Sequence, residues 1–382
     1  MKQTIRASAS SALGLFVTLL SHSALAQPSY LPPSGDNQRA SVTQQVGPVS
    51  VTISYSSPRV VLKGDDRRGK IWGKLVPYGL ADLGFNDCKS CPWRAGANEN
   101  TVFTVSDEVK VQGKSLPAGT YGLFAITGPE EWTFIFSKNA TSWGAFWYDP
   151  KEEVLRVTAR PAKDEYHEWL TYDFVVREPA RATVALKWED LQVPLTITVD
   201  DAPARWVAKL RDELRGFTGF YWENLQRAAD YCLKNKIALP EALAWAQRGA
   251  GPNFGGENQV QALATLARAQ AANGKEAEAA KTWDKAINLP GATPIEIHQV
   301  GRGLIAEGKA QQALSIFQTN AKRFPNQWPV HVGLMRGYAA VGDAKKALEE
   351  ARLAVKQAPD EANRKNLEGL IVKLEKGDTK IE

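Results

Sequence analysis

The chain has 382 residues, 43% of them apolar and 23% charged, and a formal net charge of +5. That length is too great for one hydrophobic core and predicts two globular domains of roughly 150 to 200 residues each, while the apolar content excludes a disordered chain. Three Cys and two Met exclude a disulfide-stapled miniprotein or a metal-sulfur protein, and twelve Trp place an unusual share of the apolar load in indole rings.

Residues 1–26 read as a secretory signal peptide: Lys2 and Arg6 precede the apolar run Ala12–Leu20, and Ala24-Leu25-Ala26 stands ahead of Gln27. The run is far shorter than the ~20 residues a membrane span needs. Cleavage after Ala26, a periplasmic or extracellular destination and a mature form without a membrane anchor are therefore expected, with 27–37 as a flexible linker. Cleavage removes two cations and no acid, leaving +3. Basic residues are interspersed with acidic ones, as in Asp65-Asp66-Arg67-Arg68, so no nucleic-acid partner is expected.

From about 38 to 200 the chain alternates with period 2. Val49, Val51, Ile53 and Tyr55 share one face, and further runs follow at 102–105, 109–111, 121–126, 132–136, 154–157, 170–176, 183–188 and 193–199. Short strands divided by turn residues, with no room for helices between them, predict an antiparallel sandwich or barrel, and a β-sandwich is the expected form. The segments 114–119 and 127–131 are the clearest hairpin connections by composition.

After Asp200-Asp201-Ala202-Pro203 the period changes to 3.6, and Pro203 suits a first helical turn. Gly274, Gly308 and Gly342 recur every 34 residues, each followed five residues later by Ala279, Ala313 or Ala347, and Pro325 and Pro359 keep the same spacing. Gly would end the first helix of a pair, Ala would let the paired helices approach closely, and Pro would stop the second. This pattern resembles tetratricopeptide repeats over about 217–375, with a divergent pair in front (220–237 and 239–250) and a capping helix after Pro359. The expected division is a β domain over 38–200 and a helical-repeat domain over 201–382.

The phrases Lys70–Gly79, Trp93–Thr101, Leu116–Phe124 and Trp143-Gly144-Ala145 resemble the secreted bacterial family known as domain of unknown function 2911. The resemblance implies a helical-repeat companion of this kind and names no activity. The family pattern passes quickly from Pro-Tyr-Gly to Trp-Arg, whereas here Leu80–Pro92 intervene, carrying Cys88 and Cys91.

In an oxidising compartment Cys88 and Cys91 can close a small disulfide that pins this insertion. A thioredoxin-like site would need a βαβ setting, haem attachment would need His where Pro92 stands, and zinc would need two more ligands from Cys232, His167, His298 and His331. No metal and no cofactor are therefore expected. Trp93, Arg94, Asn98 and Glu99 bracket Gly96 and form the most concentrated polar signal. They are the candidate ligand cleft, in which Arg94 and Glu99 would pair, Asn98 would orient a ligand and Trp93 would form the floor. The competing reading makes Arg94–Glu99 a structural tie and Trp93 a core residue. His167-Glu168 reads as a solvated strand end, since no nucleophile elbow, HExxH helix or phosphate loop accompanies it. The aromatic run Trp132, Phe134, Phe136, Trp143, Phe146, Trp147 and Tyr148 could stack on sugars or fill a core.

The sequence favours a binding or scaffold protein over an enzyme, with a protein or peptide partner on the helical repeats. It leaves open a small-molecule or glycan ligand of the β domain. The alternative is an envelope enzyme or carbohydrate-binding module centred on Arg94, Asn98 and Glu99.

Overall fold

The computed structural model describes residues 37–62, 64–85 and 88–381. The expected signal peptide and residues 27–36 of the expected linker lie outside the described residues. The chain first builds β1 (Gln38–Val46), β2 (Val49–Ser57), β3 (Val61–Leu62), β4 (Asp65–Asp66), β5 (Thr101–Val105), β6 (Val109–Val111), β7 (Lys114–Leu116), β8 (Gly119–Ile126), β9 (Trp132–Ser137), β10 (Glu153–Ala159), β11 (Ala162–Glu178) and β12 (Arg181–Thr198). One sheet has the order β1-β2-β5-β8-β9-β10 and the other β11-β12-β6-β7, with β3 and β4 forming a separate two-stranded ribbon. Every pairing between these strands is antiparallel.

The two large sheets share one apolar core. In β2, alternation places Val49, Val51, Ile53 and Tyr55 on the buried face. β8 and β9 are buried on both faces. Leu123, Ala125, Phe134 and Phe136 enter the main core, whereas Phe124 and Ile135 join Cys91 and Ala145 in a small second core on the far side. That second core exists because the segments carrying Cys91 and Ala145 fold over the outside of the sheet.

Two expectations about strands are corrected. Segment 114–119 is not a hairpin connection: Lys114–Leu116 is itself β7, its turn with β6 lies at Gln112-Gly113, and Pro117-Ala118 carries the chain from one sheet to the other. Segment 127–131 does join β8 to β9. The runs 183–188 and 193–199 are not separate strands but parts of β12, joined at Glu189, whose φ is +58°. Register shifts in β11 between Lys163 and His167 and between His167 and Thr171 accommodate that kink.

The second half is helical: α1 (Ala202–Glu213), α2 (Trp222–Asn235), α3 (Leu239–Gly249), α4 (Val260–Ala272), α5 (Glu276–Ile287), α6 (Pro294–Ala306), α7 (Ala310–Arg323), α8 (Trp328–Ala340), α9 (Ala344–Lys356) and α10 (Glu361–Glu375). The architecture is β plus α in one chain. Helices α2/α3, α4/α5, α6/α7 and α8/α9 pack as hairpins, α10 packs on α9, and α2, α4, α6 and α8 touch in succession. Gly274, Gly308 and Gly342 lie just beyond α4, α6 and α8 with φ of +74°, +76° and +85°, the left-handed conformation that frees a helix end to turn back. Ala279, Ala313 and Ala347 are buried where each second helix meets the first. Thr293 and Glu296 form a capping box at the start of α6, and Asp343 and Asp360 cap α9 and α10. No helix among the described residues is long and apolar enough to cross a membrane.

Phe317 locks the middle of the array. Its fully buried ring lies against Gly301 of α6 and against Gly333 and Gly337 of α8, where a Cβ would come within 2.3, 2.7 and 2.8 Å of the ring. Glycine here costs helix propensity and gains close approach.

Helix α1 joins the two halves. Ala202 belongs to the β core, while Val207 and Leu214 belong to the core of α2 and α3. Arg205 donates to the Glu108 carbonyl at 2.6 Å, and Lys209 donates to the Pro48 carbonyl.

Two glycines of α6 should respond oppositely to alanine. At Gly303 a Cβ meets nothing within 4 Å, so Gly303→Ala should stabilise by about 0.5–1 kcal/mol through propensity alone. Gly301→Ala gains the same propensity but overpacks Phe317, for a net loss of about 1–2 kcal/mol. Urea unfolding of both variants checks this; equal stabilisation by both would refute the Phe317 packing.

Candidate functional site

A cavity of about 290 Å³ opens in the β region between the ribbon segment, the insertion and the Trp93–Asn98 turn. Its floor derives from the indoles. Trp72, Trp93, Trp132 and Trp188 meet at centroid separations of 5.0 to 6.4 Å, mostly edge to face. Trp93 and Trp188 also line the cavity. Trp132 donates its Nε1–H to the Gly128 carbonyl at 3.0 Å, but the buried Nε1 atoms of Trp72 and Trp188 have no hydrogen-bond partner among the described residues.

Of the four residues predicted to form the cleft, Trp93, Arg94 and Asn98 line the cavity and Glu99 does not. The predicted Arg94–Glu99 pair does not form. Arg94 donates Nη1–H to the Asn98 carbonyl at 2.7 Å, and its guanidinium lies 5.5 Å from the Phe146 ring centroid. A Cβ at Gly144 would come within 2.7 Å of that guanidinium, so the glycine allows the backbone to press against it. Glu99 turns instead to Arg39 and, at 3.1 Å, to Ser56 Oγ. The reason is geometric: Asn98 takes a left-handed φ of +56°, which separates the two side chains across the turn. Burial pushes the Glu99 carboxyl up, but its own backbone N–H, Arg39 and Ser56 together hold it below its ordinary value. Burial pulls the Arg94 guanidinium down.

Cys88 and Cys91 are joined by a disulfide with Cα atoms 5.7 Å apart. The insertion is also closed by Ala81 and Cys91, which exchange backbone hydrogen bonds of 3.0 and 2.9 Å. Cys232 is buried in α2, and burial pushes its thiol up to about 11. The aromatic run divides: Trp132, Phe134 and Phe136 fill the core, whereas Trp143 and Trp147 are exposed. Phe85 of the insertion completes an outer cluster, 5.0 Å from Phe146 and 6.3 Å from Trp147.

His167-Glu168 is not a solvated strand end. Glu168 accepts from Arg59 Nε at 3.1 Å, Val61 N–H at 3.0 Å and the Tyr166 hydroxyl at 2.6 Å, while His167 Nε2 lies 3.0 Å from Asp164. Both are tied down because β11 is longer than the alternation suggested and runs past β3 and its approach. Burial raises Glu168, and the Tyr166, Val61 and Arg59 donors outweigh it. Among the described residues no group of three or more His, Cys, Asp or Glu is placed to hold a metal ion.

The helical array presents a second concave surface. Gln226 of α2, Gln261 and Thr265 of α4 and Gln299 of α6 line a depression of about 140 Å³, with Asp230 and Arg268 among the lining residues. Asp230 accepts from Arg268 at 2.6 Å, Thr265 at 3.1 Å and Gln226 at 3.2 Å. Burial nevertheless raises its carboxyl above the ordinary value. Arg268, Arg302 and Arg336 occupy the same place in α4, α6 and α8, 34 residues apart. Beneath them His298 is buried against Phe317, with ring centroids 5.7 Å apart.

Composition could not single out Arg67, Leu83 or Trp188, which also line the β cavity. Arg67 and Trp188 are distant in sequence from the Trp93–Asn98 turn, Leu83 sits in the inserted segment before it, and only the excess of Trp hinted at an indole cluster.

Residues 37–197 match the family model described as protein of unknown function (DUF2911), and residues 304–371 match a tetratricopeptide repeat model. No curated protein matches the chain. Among solved structures, a MamA fragment (41-end) from Desulfovibrio magneticus RS-1 is 20% identical, with 43% of this chain and 89% of that one covered and a TM-score of 0.26. YrrB, described as a TPR protein with an unusual peptide-binding site, is 16% identical, with 40% and 77% covered and a TM-score of 0.24. A putative kinesin light chain with TPR-like repeats from Podosopora anserina is 16% identical, with 41% and 85% covered and a TM-score of 0.27.

The buried His298 makes the array acid-sensitive. Burial, with Arg336 and Arg302 nearby, pulls the imidazole from 6.5 to about 4. The unfolded chain therefore binds the extra proton first, and stability falls as pH drops from about 6.5 towards 4. His298→Leu should flatten that limb by about 2 kcal/mol, an order-of-magnitude figure from the shift. Urea midpoints at pH 7 and 4.5 measure it, and a wild-type slope retained in His298→Leu would contradict the assignment.

Proposed function

We propose that this chain is an exported binding protein that holds a protein or peptide partner along the successive faces of α2, α4 and α6. The observation that carries the reading is the row of amides Gln226, Gln261 and Gln299, contributed by three neighbouring helices to one depression. An amide offers both donor and acceptor, so such a row suits the repeating N–H and C=O groups of an extended peptide. The tetratricopeptide repeat match at residues 304–371, in the helix pairs that continue from this groove, supports the same role, since stacked helix pairs form a continuous concave surface that commonly serves as a protein-interaction scaffold. Arg302, exposed on α6 and one turn beyond Gln299, adds a cation to that face. The sandwich then serves as the attached module.

Export rests on the charged, apolar and small-residue order of residues 1–26. The Cys88–Cys91 disulfide supports an oxidising destination. Protein recovered from the cell envelope or medium should begin at Gln27, read by N-terminal sequencing; a cytosolic product that retains Met1 would overturn export.

For the partner, the full mature chain is immobilised and challenged with envelope extract. Gln261→Ala/Gln299→Ala should lose at least tenfold in retention of specific partners, while Arg94→Gln, altered only in the β region, should retain them. Unchanged partner yields in the double variant would refute the groove.

A further inference from the structure

The β cavity carries a charge imbalance that the groove reading does not use. Among the described residues its lining includes Arg67 and Arg94 and no Asp or Glu. Arg67 already has a counter-ion, with Nε 2.7 Å from Asp65. Arg94 has none among the described residues, where it contacts the Asn98 carbonyl and the Phe146 ring. A half-buried guanidinium without a carboxylate is costly, because it loses hydration and receives no opposite charge. The arginine is also held in place, pressed by the Gly144 backbone and fixed by one N–H, which leaves other N–H donors of its fork uncommitted. A second, independent observation points to the same ligand. Trp188, a cavity wall at 2% exposure, has a buried Nε1–H with no acceptor. Buried polar groups left without partners in a native fold call for a missing acceptor.

We propose that this cavity is a binding site for a small organic carboxylate, whose carboxylate accepts from Arg94 and from the Trp188 indole N–H while its apolar body lies against Trp93, Val76 and Leu83. The volume of about 290 Å³ suits a small molecule and not a chain segment. Preference for a carboxylate over its neutral amide follows from the lining, which supplies positive charge and donors where an amide nitrogen would bring a further donor. The planar fork of Arg also favours two parallel hydrogen bonds to one carboxylate.

The test uses the full mature chain, calorimetric titration and two probes of nearly equal shape, benzoate and benzamide. Benzoate should bind saturably with one site per chain, and benzamide at least tenfold more weakly. Arg94→Gln should weaken benzoate tenfold or more and leave benzamide nearly unchanged, collapsing the preference. Arg94→Lys should recover part of it, since the charge returns without the fork. Trp188→Phe, which removes the N–H and keeps a core aromatic, should weaken benzoate two- to fivefold. If Arg94→Gln does not fold, judged by its thermal transition, the wild-type probe ratio and Trp188→Phe decide. Equal affinity for the two probes, absence of saturable benzoate binding, or an Arg94→Gln variant that folds and keeps the preference would each overturn the proposal. Loss of partner retention in the groove variants leaves these outcomes unaffected, so the two sites fail or stand separately.

Discussion

Four indole rings hold the sandwich together, and its other features follow from how they meet. Trp132 comes from β9 in one sheet and Trp188 from β12 in the other, while Trp72 and Trp93 arrive from irregular chain. Each ring buries on the order of 150–250 Å². Edge-to-face contacts at 5.0 to 5.9 Å tie residues up to 116 positions apart into one rigid unit. Rings of that size cannot close every gap around themselves, and the cavity lies on their flank. Irregular chain that would otherwise carry few contacts is thereby given a fixed wall to stand on.

The two concave surfaces handle buried charge differently. In the array, Arg268 is balanced by Asp230 and also pairs with Glu307, so its charge is offset and the proposed partner would be recognised by the amides beside it. In the β cavity, Arg94 has no such balance among the described residues, and it is this charge that would recognise the carboxylate we propose there. Nearby, Tyr172 donates to the Ala95 carbonyl at 2.8 Å and Thr101 to the same carbonyl at 3.0 Å. By contrast, among the described residues the Arg94 guanidinium lacks a carboxylate and the Trp72 and Trp188 indole N–H groups lack acceptors.

Features with a strict local period were legible in the sequence. The alternation of Val49, Val51, Ile53 and Tyr55 is the buried face of β2, and the 34-residue recurrence of Gly274, Gly308 and Gly342 marks three helix ends. Features set by contacts between distant residues were not legible. Glu189 at positive φ fuses two apparent strands into β12, and nothing in its neighbours announces that backbone state. Arg94 and Glu99 are five residues apart and oppositely charged, so pairing was the natural expectation; Asn98 parts them, and Arg39 and Ser56, 60 and 43 residues away from Glu99, take the carboxylate. The Trp143-Gly144-Ala145 phrase was visible as a motif, but only the fold shows Gly144 against the Arg94 guanidinium and Ala145 in the second core.

Helix α1 bears on where this chain can be divided. The hydrophobic period changes at residues 200–203, yet Ala202 is a member of the sandwich core and Val207 and Leu214 are members of the first helical core. A cut at the change of period would therefore strip the sandwich of a packed methyl beside Gly47, where an added Cβ would come within 3.1 Å of it, and remove the Arg205 and Lys209 clasps on Glu108 and Pro48. A cut just past Leu214 would leave Val207 and Leu214 as an apolar face without its cover. Severing the chain on either side of this helix exposes oil to water, so its two halves are fastened through a shared element rather than strung on a tether.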